Sequence, residues 1–77
     1  MRPSDARVAQ LRGYRLIREM EDERRSLLVH PALSSPLAFA LRTGAPVADF
    51  AEVRAEANAR VAVLERRIAR VRAMTGL

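Results

Sequence analysis

Seventy-seven residues allow one domain, and a chain this short buries only about 60% of the surface its unfolded form exposes. Fourteen basic residues against nine acidic ones leave a net charge of +5, with no cysteine and a single histidine, His30. Disulfides, thiolate metal sites and histidine clusters are thereby excluded as staples, so stability must come from regular helix packing or from association with other chains.

Every basic residue is arginine. The alanine- and valine-rich composition fits the coding bias of a GC-rich genome; selection for the planar, bidentate guanidinium is the alternative. The charge favours nucleic acid, anionic lipid or an acidic protein surface as partner without choosing among them. Met1–Met20 is too charged to hold the apolar stretch of a secretory signal. The longest uncharged run, Ser26–Leu41, is too short and too broken by Pro31 and Pro36 to span a membrane. The expected location is the cytoplasm, or a particle assembled there.

In chain order, Pro3-Ser4-Asp5 opens a helix over about 4–29, with Ser4 as the expected N-cap and Asp5 favouring the positive end of the dipole. Gly13 weakens this helix by roughly 1 kcal/mol relative to alanine without ending it. His30-Pro31 stops it, because a residue before proline is pushed out of the α region. His30 is expected to cap the preceding helix carbonyls. Ser34-Ser35-Pro36 starts a short helix over 36–42, since proline suits the first helical position, and Gly44 ends it. Asp49-Phe50-Ala51-Glu52 has capping-box spacing, and Pro46 allows a start one turn earlier, giving a last helix over about 47–74. Two long helices of about 25 residues, roughly 38 Å each, joined by a connector, predict a single all-α domain over 1–77. Its form is an antiparallel, coiled-coil-like hairpin with a short helix in the connector.

The last helix places Phe50, Val53, Ala57, Val61, Leu64, Ile68 and Val71 on one stripe at alternating spacings of three and four. The matching stripe on the first helix is Ala6, Ala9, Gly13, Leu16, Ile17, Met20, Leu27 and Leu28, with Arg24 intruding. A second stripe on the last helix, including Ala51, Ala55, Ala59 and Ala62, lies well over 90° from the first. It is either exposed helix filled by the best helix former or a ridge that lets another helix approach closely. The connector, with Leu27, Leu28, Leu33, Leu37, Phe39 and Leu41, is the least charged segment. It caps the open end of the hairpin or docks into a larger partner.

In-register pairing would gather Arg2, Arg7, Arg12 and Arg15 with Arg66, Arg67, Arg70 and Arg72 at one basic tip, above an acidic waist of Glu19, Glu21, Asp22 and Glu23. Pairs four apart, such as Arg15–Glu19 and Glu56–Arg60, solvate such a face. Arg7, Arg12, Arg66, Arg67, Arg70 and Arg72 are the candidates for contact with an anion or nucleic acid, although stacking residues are limited to Tyr14, Phe39 and Phe50.

No glycine-rich phosphate loop or nucleophile–base pairing is present, so neither an enzyme nor a cofactor is expected. The expectation is a non-catalytic assembly or adaptor subunit that packs against itself or a larger complex, such as a small structural component of a phage-like particle. A nucleic-acid-binding protein using the arginine-rich tip is the alternative.

Overall fold

In the computed structural model, which describes residues 3–76, three helices are joined by two 3₁₀ turns: α1 (Pro3–Leu28), a turn at Pro31–Leu33, α2 (Pro36–Thr43), a turn at Val47–Asp49, and α3 (Phe50–Thr75). The described residues are all-α, without a strand.

Local chemistry sets most of these boundaries, and some of it differs from the sequence expectation. Helix α1 already includes Pro3 and Ser4, so Ser4 is a helical residue and not the cap. His30 does not cap α1 either. Extended at φ −62° and ψ 125°, as a residue before proline should be, it turns forward and its Nδ1 accepts the Ala32 N–H at 3.1 Å. This uses the tautomer protonated on Nε2, and makes His30 the cap of the following 3₁₀ turn. Ser35 caps α2 through Oγ, which accepts the Ala38 N–H at 3.1 Å. Gly44 closes α2 at φ 73°, a left-handed geometry that glycine adopts without penalty, and its N–H donates to the Ala40 carbonyl at 3.0 Å. Gly76 does the same for α3 at φ 74°. Asp49 fails as a capping-box residue. The 3₁₀ turn before it holds Asp49 at φ −78° and ψ −13°, inside the helical region, and its side chain makes no capping bond.

The two long helices run antiparallel, as their cross-links record. Glu23 meets Arg60, Arg24 meets Glu65, Glu21 meets Arg72, and Gly13 lies against Thr75. These pairs also show that the helices are staggered. Thr75, the last residue of α3, faces Gly13, so α1 runs on for about ten residues, or roughly 15 Å, past the end of α3. At the other end, the first turns of α3 extend beyond Leu28 and are covered by α2 and the Pro31–Leu33 turn. The molecule is a rod of 56 × 17 × 13 Å.

Its core is narrow. Ile17, Met20, Leu64 and Ile68 form the buried cluster, flanked by Leu27 and Val71. Every position of the α3 stripe from Phe50 to Val71 is buried or half-buried, whereas the α1 stripe is only partly used. Gly13, Ile17 and Met20 are buried, but Leu16 and Leu28 are exposed; Ala6 and Ala9 are exposed because α3 ends before it reaches them. Gly13 packs tightly against the end of α3. A Cβ there would lie 2.5 Å from Thr75 Cγ2.

A second buried group holds the connector down. Ala32, Leu33 and Phe39 are buried, and the Phe39 ring meets Phe50 edge-on with centroids 5.9 Å apart. The Arg54 guanidinium donates to the Leu33 carbonyl, tying the turn to α3.

Candidate interaction surfaces

The structure sorts the interface residues expected from sequence into two groups. Ala51, Ala55, Ala59 and Ala62 all lie exposed on the outer side of α3. Leu28, Leu37 and Leu41 are also exposed, with Leu41 at 76%. Leu27, by contrast, packs against the main core, while Leu33 and Phe39 are buried. These last two fill the gap between the connector and the first turns of α3, so they cannot be offered to a partner in this conformation. Apolar surface at the connector end therefore consists of Leu28, Val29, Leu37, Leu41 and Val47.

The arginines do not form a single basic tip. Because of the stagger, Arg7 and Arg12 sit on the overhanging part of α1, beyond the last residue of α3. Arg2 lies outside the described residues. Arg67 and Arg70 line a groove on one side of the helix pair, and Arg72 lines grooves on the other. Nor is Arg72 free, since its Nη2 donates to Glu21 Oε1 at 2.8 Å. The acidic waist is partly neutralised in the same way. Arg60 Nη2 reaches both Glu23 oxygens, at 3.1 and 3.0 Å. Outside the waist, Arg24 Nε donates to Glu65 Oε1 at 3.0 Å. Glu23, 37 residues away in the chain, has taken Arg60 from Glu56, the neighbour four residues away that the sequence suggested. The side chains of these pairs are 41–53% exposed, so each contributes at most about 1 kcal/mol.

One concavity went unrecognised in the sequence. It is an open groove of about 580 Å³ between α1 and α3. Leu16, Met20, Leu64 and Val71 form its floor; Glu19 and Glu23 line the α1 wall, and Arg60, Arg67 and Arg70 the α3 wall. Leu16 is 46% exposed there. The signal that could have revealed the groove is the run Leu16, Glu19, Glu23 along one flank of α1. Its spacing of three and four places an acidic edge beside the core stripe.

No group of three or more histidine, aspartate or glutamate side chains among the described residues is arranged to hold a metal ion. No helix among them is long and apolar enough to cross a membrane. Comparison with known proteins finds no matching family model, no matching curated protein and no matching solved structure.

Proposed function

We propose that this chain is a non-catalytic helical assembly subunit, a coiled-coil-like hairpin that works by packing against copies of itself or within a larger complex. One observation carries the reading: the chain exposes more surface than a self-sufficient monomer of its size. Its accessible surface is 6011 Å², whereas a compact monomer of 8.6 kDa exposes about 4,700 Å². Its radius of gyration, 17.2 Å, compares with about 11.5 Å for a compact domain of this length. The excess includes large apolar side chains along the whole rod, from Val8 and Leu11 through Leu16 to Leu37 and Leu41. Such surface is the usual mark of an interaction face.

Light scattering and sedimentation of the purified chain test the proposal. An oligomer at micromolar concentration is expected. A stable, fully helical monomer under those conditions, with no stable complex, overturns it.

A second reading rests on Arg7, Arg12 and Arg66, which are exposed and make no ion pair with any described residue. Nucleic-acid contact through them predicts retention on DNA or RNA at low salt that falls steeply as salt rises. Replacing all three by glutamate should abolish that retention; its absence in the unmodified chain defeats this reading.

A further inference from the structure

The groove between α1 and α3 has walls of opposite sign that satisfy each other only in part, through the Glu23–Arg60 pair. Glu19 on the α1 wall shares the groove with Arg67 and Arg70 on the α3 wall. Glu19, Arg67 and Arg70 nevertheless make no ion pair with any described residue. Between the walls lies an apolar floor on which Leu16 remains 46% exposed. An occupant must therefore cover a greasy strip and offer a cation to one wall and anions to the other.

A purely acidic helix from another protein would suit Arg67 and Arg70 but repel Glu19, and a purely basic one would do the reverse. The groove of a second copy carries both signs at matching heights. We infer that this groove binds a second copy of the chain, forming an antiparallel four-helix bundle about a twofold axis parallel to the helices. This inference rests on the assembly reading and names its interface.

The register of the fold leads to this arrangement. In the staggered pair, Glu19 stands level with the Arg67–Arg70 turn, as the neighbouring cross-links at Gly13–Thr75 and Arg24–Glu65 require. A twofold axis along the helices preserves height while exchanging walls. It sets α1 on the partner subunit's α3, so that Glu19 meets the partner subunit's Arg67 and Arg70, and symmetry repeats the contact. All neighbouring helices are then antiparallel, the packing familiar in short-loop bundles.

Sedimentation equilibrium of the full chain, with helicity followed by circular dichroism, tests the inference. The unmodified protein should give twice the 8.6 kDa chain mass. Glu19→Arg alone, and Arg67→Glu with Arg70→Glu in a second variant, should each weaken the dimer on the order of a hundredfold, because like charges then face each other. Mixing the two variants should restore it, since the heterodimer pairs opposite charges at both contacts. Cross-linking supplies a readout that does not depend on charge, as the chain has no cysteine of its own. Glu19→Cys and Arg67→Cys chains should form a mixed disulfide when combined and little when oxidised separately.

Charge variants that dimerise as the unmodified chain does, or a mixture that fails to recover together with no mixed disulfide, overturn the groove assignment. If the unmodified chain still oligomerises in that case, the assembly reading survives. A folded monomer that pairs only with a different protein removes the second-copy inference alone. A folded monomer at about 100 µM that forms no complex removes both.

Discussion

The two ends of the rod are built on opposite principles. At the connector end, Phe39 sits buried against Phe50, Ala32 and Leu33 are buried beside it, and Arg54 secures the Leu33 carbonyl. At the other end, every side chain from Ser4 to Arg12 is exposed, and the helix continues past the last residue of α3 with no described residue packed beside it. One end is held by tertiary packing and the other by helix propensity, extended from a turn that α3 has already fixed. Isolated helices shorter than about 12–15 residues are marginal in water, so the overhang depends on its continuity with the paired segment.

The contrast is open to direct test. The largest effect belongs to Phe39→Ala, which empties the connector's core. Urea unfolding should show a loss of about 3–5 kcal/mol. A loss below about 1 kcal/mol would mean that the connector does not depend on its aromatic pair. Next comes Gly13→Ala at the crossing. The added methyl meets Thr75, and the overpacking should outweigh the gain of about 1 kcal/mol in helix propensity, for a net loss on the order of 1 kcal/mol. Adding Thr75→Ser removes the clashing Cγ2 while keeping the hydroxyl that donates to the Val71 carbonyl at 2.7 Å. The double variant should regain at least the original stability.

A matched pair of substitutions compares the bare end with the paired region. Ala62→Gly should lower global stability by about 1 kcal/mol. Ala9→Gly in the overhang should leave global unfolding almost unchanged and speed hydrogen exchange only in the first turns, since that segment opens on its own. Equal global losses would show that the two segments unfold together. The smallest effect is expected for Glu23→Gln, which breaks the bidentate contact with Arg60. A cost of about 0.5 kcal/mol, vanishing in high salt, is expected for a pair this exposed.

Much of the architecture was legible because it is local. Ser35-Pro36, Gly44 and His30-Pro31 punctuate the helices where the sequence says they should. The Phe50–Val71 stripe of α3 is the buried stripe because period alone identifies it. The stagger was not legible. A seam of threes and fours between two helices of equal length can slide by a turn and still pair apolar residues, so period cannot select the register. Gly13, which leaves room for Thr75, and the connector packed over the first turns of α3 do select it. From that one slip follow the separation of Arg7 and Arg12 from the arginines of α3 and the pairing of Glu21 and Glu23 across helices. The Asp49 cap and the forward turn of His30 were hidden for another reason: 3₁₀ turns next to prolines shift the capping duty by a residue or two.

The stagger also gives the molecule a built-in ruler. The chain has no lysine and Arg2 precedes Pro3, so trypsin can cut only after the other thirteen arginines, which are distributed from Arg7 to Arg72. Bonds after Arg7 and Arg12 lie where the helix opens by itself, whereas those after Arg24 and Arg60 open only when the pair separates. A brief digestion should therefore shorten the chain stepwise from its bare end, and the order of fragments would trace the stability profile along α1.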